Sequence, residues 1–248
     1  MSRILFVETD IRLEKLGIMY VSAALKQNGH DTLLCRYECD DIHDCITSFC
    51  PDFLAFSVTT GKNVFLFELA ANLKKQYGLK TIFGGPHATF FSDSIPEDVA
   101  DFVVVGQGEK AVVEIVENRA AGRIVKCDFM DLDLIPFPDR ELFYRFDEFR
   151  DNPIKNIITC RDCPYSCAYC YNHSWKQMFK TETNFMQKRS VGSVISEIRS
   201  LKDRYLLRKI MFVDDNFLFH KDWVFEFCEQ YRKEIGLPFL CCFSLNLL

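Results

Sequence analysis

RILFVETDIRLEKLGIMYVSAALKQNGHDTLLC, residues 3–35, is the stretch on which the fold turns. It opens on an aliphatic run, Ile4 to Val7, passes through a polar break, continues as an amphipathic segment from Gly17 to Gln27, and returns to a second aliphatic run, Thr32 to Cys35. A run that is apolar at successive positions suits a strand covered on both faces, and an intervening helix-period segment is the crossover that a parallel pair needs. Asn28-Gly29 supplies the turn that ends the helix.

The same rhythm extends outward through Ile42 to Phe49, Phe53 to Val58, Val64 to Tyr77, Thr81 to Phe83, Phe102 to Val105 and Ala111 to Asn118, with turn signals at Tyr77-Gly78 and Gly84-Gly85-Pro86. Alternation of this kind predicts an α/β domain over residues 1–122, a Rossmann-like (flavodoxin-like) parallel sheet with helices on both faces. Periodicity then fades over residues 123–152, where Asp131-Leu132-Asp133-Leu134-Ile135-Pro136-Phe137-Pro138 is too punctuated for a long helix or a central strand, and this segment is expected to be a linker. Alternation resumes in a second domain, 153–248, with strands at Ile154 to Thr159, Lys209 to Val213 and from Phe239 onward, and helices at Val191 to Tyr205 and Asp222 to Ile235. About three strands and two helices are expected there, far fewer than a closed (β/α) barrel contains.

With 48% hydrophobic residues the chain can bury a core, and disorder is excluded as its main state. Thirty Lys and Arg against 35 Asp and Glu leave a net charge of -5, so no overall field draws nucleic acid or an anionic membrane. Apolar runs fall short of the ~20 residues that cross a bilayer, and Ile4 to Val7 is too short for a signal-peptide core. A cytoplasmic protein without membrane or nucleic-acid partners is expected, and its twelve cysteines are expected to be reduced, some of them bound to metal.

Four cysteines crowd into Thr159-Cys160-Arg161-Asp162-Cys163-Pro164-Tyr165-Ser166-Cys167-Ala168-Tyr169-Cys170. Cys163, Cys167 and Cys170 make C-x3-C-x2-C, by which one loop can present three thiolates to one face of a metal cluster. Two readings stand beside a three-cysteine 4Fe-4S site. One is a four-cysteine cluster that includes Cys160; the other is zinc held by Cys160-x2-Cys163 and Cys167-x2-Cys170, for which three intervening residues are cramped.

This loop, its place after a strand and the aromatic Tyr169 before the last cysteine resemble the radical S-adenosylmethionine superfamily. The resemblance implies a 4Fe-4S cluster on Cys163, Cys167 and Cys170, with one iron left for the amino and carboxylate groups of S-adenosylmethionine. Reductive cleavage of that cofactor to a 5'-deoxyadenosyl radical would follow, fed by an electron donor such as flavodoxin or ferredoxin. Lys188-Arg189-Ser190 with Glu197 resembles the basic helix start of that family, and Phe212-Val213-Asp214-Asp215-Asn216-Phe217 resembles the strand end near the cofactor's amino group. Tyr169, Asp214 and Asp215 are therefore expected to bind cofactor, with Asn246 a weaker candidate. The implied fold is an incomplete (β/α) radical S-adenosylmethionine barrel, and the chain is expected to be truncated within it, with apolar edges from Phe239 to Leu248 prone to association.

Ligands of an open parallel sheet bind beyond the carboxyl ends of the strands. In the first domain those ends carry Glu8-Thr9-Asp10, Ser57-Val58-Thr59-Thr60-Gly61, Gly84-Gly85-Pro86-His87 and Gly106-Gln107-Gly108-Glu109. Gly106-x-Gly108 lacks the third glycine of a dinucleotide fingerprint and follows the last strand instead of the first. The set resembles the cobalamin-binding domain that precedes many radical S-adenosylmethionine proteins. That resemblance implies that Ser57, Thr59, Gly84 and Gly85 line the channel for the nucleotide tail, with Gly106, Gly108 and Glu109 as further contacts. Glu8-Thr9-Asp10-Ile11-Arg12-Leu13 has no counterpart of the D-x-H-x-x-G motif, so a histidine of that loop does not ligate cobalt, and His87 is expected to be an ordinary loop residue.

Two reaction types follow from the resemblance, cobalamin-dependent methyl transfer to carbon or phosphorus, which is preferred, and a radical rearrangement or cyclisation. The substrate is expected to be a small molecule of unknown identity. A non-catalytic cobalamin or iron-sulfur sensor is the rival from another class.

Overall fold

The computed structural model describes residues 1–9, 13–161, 163–179, 187–218 and 220–245. They form two compact units, residues 1–127 with 136–143, and residues 128–135 with 144–248.

In the first unit the chain runs β1 (Arg3–Glu8), α1 (Leu16–Gln27), β2 (Asp31–Arg36), α2 (Ile42–Phe49), β3 (Phe53–Ser57), α3 (Asn63–Tyr77), β4 (Lys80–Gly84), α4 (Pro86–Phe90), β5 (Phe102–Val104), α5 (Gly108–Val116) and β6 (Ile124–Val125). All six strands are parallel, in the order β2-β1-β3-β4-β5-β6. The order reverses between β1 and β3, the point at which such sheets open a crevice for ligands.

Period-two alternation divides the strand residues between two buried faces. Leu5, Val7, Leu54, Phe56, Phe83 and Val103 join Ile42 and Ile46 of α2, Leu66, Ala70 and Leu73 of α3, and Ala88 of α4 in one core. The opposite face carries Phe6, Ala55, Ile82 and Val104, beneath α1 and α5. Each such aliphatic or aromatic side chain removed from water contributes about 1.5–3 kcal/mol, so the sheet is held from both sides by its apolar runs. Asp41 caps α2, accepting from the backbone N–H of His43 at 2.8 Å and of Asp44 at 3.3 Å.

Residues 136–143, within the segment expected to link the domains, pack on the first unit. The Asp139 carboxylate accepts from Ser22 Oγ at 2.6 Å and pairs with Lys26 at 2.7 Å, while Arg140 pairs with Glu14 at 3.2 Å, both almost wholly buried. Arg123 donates to the carbonyls of Ile95, Pro96 and Ala100 and so fastens the approach to β6.

After α6 (Glu141–Tyr144) and α7 (Asp147–Arg150), the second unit contains β7 (Ile154–Ile157), β8 (Cys160–Arg161), α8 (Tyr171–Phe179), β9 (Gln187–Lys188), α9 (Val191–Arg204), β10 (Lys209–Phe212), α10 (Lys221–Glu234) and β11 (Phe239–Cys241). Strands β11-β10-β7 form a parallel sheet, and β8 and β9 an antiparallel pair. Its three strands and helices α9 and α10 match the periodic segments of the sequence; α8 and the β8–β9 pair have no such signal. Phe212, Phe217, Phe227, Tyr231 and Phe239 pack ring against ring in its core. Fully buried Lys155 donates to the carbonyls of Phe149 at 2.7 Å and Arg150 at 2.9 Å, at the carboxyl end of α7, and lies 4.0 Å from the centre of the Tyr144 ring. No helix among the described residues is long and apolar enough to cross a membrane.

Candidate functional site

At the carboxyl end of the first sheet the strand register sets Ser57, Gly84 and Val104 side by side, one step beyond the row formed by Phe6, Ala55 and Ile82. Two of the three outer residues are small. With Gly17 and Ile18 of α1 and Val112 of α5 as walls, they leave a cavity of about 160 Å³ that Gly85, Gly106 and Gly108 also line.

Gly85 has φ +92, and a Cβ there would stand 2.9 Å from the backbone N and 3.0 Å from the O of Val58, and 3.0 Å from Ser57 Oγ. The chain just beyond β3 runs too close at this point for any side chain. The crossing is bonded as well: Val58 N–H donates to the Gly84 carbonyl at 2.8 Å, and His87 N–H to the Val58 carbonyl at 2.9 Å. Thr89 joins the next pair of ends, its hydroxyl donating to the Gly85 carbonyl at 3.0 Å and accepting from Gly106 N–H at 3.2 Å. A Cβ on Gly108 would come within 3.0 Å of Val21, so this glycine also lets α5 approach α1.

Five of the seven residues expected to contact cobalamin, Ser57, Gly84, Gly85, Gly106 and Gly108, thus line one cavity. Glu109 is buried in the first turn of α5 outside that lining, and Thr59 is exposed in the loop after β3. His87 is buried, with Nδ1 3.0 Å from Thr60 Oγ1 and Nε2 3.2 Å from Ser94 Oγ, and burial lowers its pKa. Both ring nitrogens have hydroxyl partners, as befits a structural histidine. Glu8 and Thr9 are described at the end of β1; Asp10, Ile11 and Arg12 lie outside the described residues.

An apolar recess over glycine backbone, with one hydroxyl, fits the flat heterocycle of a cobalamin nucleotide. Sequence pattern marks Ser57 and the glycines of this recess, whereas Phe6, Ala55, Ile82, Val104 and Val112 carry no signal beyond that of core residues.

In the second unit the carboxyl ends of β7 and β10 are tied together by Asp214. Its carboxylate accepts from Thr159 N–H and Oγ1, both at 2.7 Å, and from Cys160 N–H at 2.8 Å. Burial pushes its pKa up, against those hydrogen bonds and the nearby Lys188 ammonium. The Cys160 thiol is also pushed up, by burial first and by the adjacent Asp214 carboxylate. Asp215 accepts from Asn172 Nδ2 at 3.0 Å, which anchors the start of α8.

Cys163 and Cys170 are half-buried and Cys167 is exposed on the intervening loop. Burial raises the Cys163 pKa, the backbone N–H of Tyr165 lowers it, and the surrounding Asp215, Lys176 and Cys170 add smaller effects. Lys176 Nζ, from helix α8, donates to the Tyr165 carbonyl at 2.6 Å, and within the loop Cys170 N–H donates to the Cys167 carbonyl at 3.0 Å. Among the described residues no three Cys, His, Asp or Glu side chains stand together as a metal-ion site. The donor set itself suits an iron-sulfur cluster, because three thiols spaced along one loop can converge on one face. Tyr169 is 94% exposed. Asp162 and Asn246 lie outside the described residues.

The opening of α9 is braced by a buried ion pair between Arg189 and Glu197, and Ser190 caps the helix, accepting from Ser193 N–H at 3.2 Å. Lys188 sits 3.7 Å from the centre of the Trp223 ring, and burial lowers its pKa.

Comparison with known proteins matches residues 2–116 to the B12 binding domain family. The chain is 24% identical over 252 residues to an uncharacterized methyltransferase of Pyrococcus horikoshii, covering 88% of this chain and 52% of that protein. It is 25% identical over 232 residues to the hopanoid C-3 methylase of Methylococcus capsulatus, covering 82% and 43%. The cytidylyl-2-hydroxyethylphosphonate methyltransferase of Streptomyces wedmorensis shares 28% identity over 119 residues, 44% of this chain and 21% of that one. The chain spans about half the length, or less, of these curated relatives.

Proposed function

We propose that this chain serves a radical S-adenosylmethionine methyltransferase that uses cobalamin to methylate a small molecule. The observation that carries the reading is the presence on one chain of a B12 binding domain match over residues 2–116 and a C-x3-C-x2-C loop following the first strand of a second parallel sheet. Relatives named as methyltransferases, among them a hopanoid methylase, favour methyl transfer over rearrangement. Strands β7, β10 and β11, alternating with α9 and α10, are consistent with the opening of a (β/α) barrel.

In this reading Cys163, Cys167 and Cys170 would hold a 4Fe-4S cluster, whose chemistry would be the one-electron reduction of S-adenosylmethionine to methionine and a 5'-deoxyadenosyl radical, and cobalamin would supply the methyl carrier. The chain's own residues position and shelter. Asp214 fixes the strand end from which the cysteine loop departs, Asn172 and Asp215 fix the helix at its far side, and Lys176 pins its middle. Tyr169, exposed and next to Cys170 in the chain, contacts the bound sulfonium cofactor in this reading. Ser57, Gly84 and Gly85 receive the nucleotide end of the corrinoid, and a flavodoxin or ferredoxin is the proposed electron donor.

Anaerobic reconstitution with iron and sulfide tests this directly. The reduced protein should give a cluster paramagnetic resonance signal that changes when S-adenosylmethionine is added, with 5'-deoxyadenosine formed. A signal indifferent to S-adenosylmethionine overturns the reading in favour of a non-catalytic cobalamin or iron-sulfur sensor.

A further inference from the structure

We propose that Cys35 and Cys45 form a reversible redox pair, closed to a disulfide by a peroxide and reopened by a dithiol, which links helix α2 to strand β2 at the end of the first sheet. Neither thiol belongs to the cysteine loop, so the inference stands apart from the function proposed above. Strand β2 lies at one end of its sheet, paired with β1. Cys35 is the register partner of Val7 and is fully buried in the core that it shares with Ile42 and Ile46 of α2. Cys45 lies one turn beyond Ile42 and beside Ile46, so the helix period turns it toward the same core, against which it packs half-buried. The two thiols are hydrogen-bonded to each other.

Position divides the work between them. Burial pushes the Cys35 thiol up, and the neighbouring Cys45, Asp40 and Asp41 add to the rise, so Cys35 stays protonated and does not itself attack an oxidant. Cys45 is the accessible partner. Attack of its sulfur on hydrogen peroxide breaks the O–O bond, leaving a sulfenic acid on Cys45 and releasing water. The Cys35 sulfur then displaces the hydroxyl: the S–S bond forms, the S–O bond breaks, and the Cys35 proton leaves with the hydroxyl as water. Both sulfurs are oxidised and both peroxide oxygens reduced, and a dithiol restores the thiols by exchange. A thiol already held against the sulfenic acid resolves it without a diffusive encounter. Two other thiols of this segment are exposed and stand as competitors. Cys39 lies in the turn after β2, where its N–H donates to the Arg36 carbonyl at 2.9 Å and Arg36 pairs with Asp40 at 2.9 Å. Cys50 lies beyond the far end of α2, its thiol donating to the Thr47 carbonyl at 3.1 Å.

Peptide mapping of the full chain reads the pair directly. The reduced protein is treated with hydrogen peroxide, its remaining thiols are blocked with N-ethylmaleimide in denaturant, and the digest is analysed by mass spectrometry without reduction. Trypsin cuts after Arg36 and so separates the two cysteines. At about tenfold excess of peroxide most of the Cys35 peptide should pass into a species linked to the peptide that begins at Tyr37, with fragmentation placing the link on Cys45, and dithiothreitol should return both peptides. Cys45→Ser should abolish the linked species, whereas Cys39→Ser should leave it. Should Cys45→Ser not fold, the unmodified chain still decides. Cys35 recovered as the maleimide adduct while Cys45 is oxidised further, or Cys35 linked to Cys39 or Cys50 instead, overturns the proposal.

Discussion

At the carboxyl end of the first sheet a site is made by what is small, whereas in the loop after β8 it is made by what is reactive. Ser57, Gly84 and Gly85 open a recess because the strands beneath them are packed and bonded on both faces, so the space persists through ordinary core cohesion. Cys163, Cys167 and Cys170 instead sit on a loop held from outside, by Lys176, Asn172 and the Asp214 clamp, while among the described residues packing does not draw the three thiols into a metal site. A shape for an apolar ring can be prebuilt by the fold. In the function proposed, three thiolates would be gathered by the cluster they hold, so that metal affinity and local folding become one quantity.

The contrast can be broken most sharply at the cysteines. Cys163→Ala, Cys167→Ala and Cys170→Ala should each abolish the response of the reduced signal to S-adenosylmethionine, while Cys160→Ala, beside Asp214 in β8, should spare it. If Cys160→Ala behaves like the other three, the cluster has four cysteine ligands. The scaffold around the loop comes next. Asp214→Ala leaves the N–H groups of Thr159 and Cys160 and the Thr159 hydroxyl without their acceptor, and should cost the second unit about 3 kcal/mol in denaturant unfolding. A loss below about 0.5 kcal/mol would show that the clamp is not what fixes this strand end.

In the first unit, Gly85→Ala forces a Cβ onto Val58 at a left-handed φ and should cost about 2 kcal/mol, together with corrinoid affinity. Unchanged stability would mean that β3 and β4 can part there. The smallest effect concerns His87. Because burial lowers its folded pKa, the unfolded chain binds more protons near pH 6. The neutral side chain's contribution is therefore complete above about pH 6.5 and is lost as the pH falls from there through the folded value. Urea unfolding between pH 7.5 and 5.5 should show a decline that His87→Asn flattens; an identical slope in the variant would assign the decline to other groups.

The two regions also differ in how far sequence alone discloses them. Strand-and-helix alternation announces the first sheet, and Gly84-Gly85 announces its ligand-facing end, because left-handed or crowded backbone admits little else. The cavity walls stay hidden: Phe6, Ala55, Ile82 and Val104 satisfy the same apolar pattern whether they face a helix or a ligand. Thr59, close to Ser57 in sequence, is exposed outside the lining, since the chain has already left the strand. Asp139 and Arg140 dock residues 136–143 on α1 and on Glu14 ahead of it through polar contacts more than a hundred residues apart, which leave no periodic trace. Around the cysteines the spacing is legible, but α8, nine residues long with Asn172 and Phe179 buried, is too short to show an apolar stripe, and the two-residue strands β6, β8 and β9 are too short for any period.

In the function proposed, Cys163, Cys167 and Cys170 hold an iron-sulfur cluster on a chain that also carries the B12 binding domain match. X-ray absorption of anaerobically purified protein tests it most directly. It should show iron in a sulfur environment with iron–iron scattering, altered by S-adenosylmethionine and lost in Cys163→Ala, whereas tetrahedral zinc on sulfur, without iron, would contradict it.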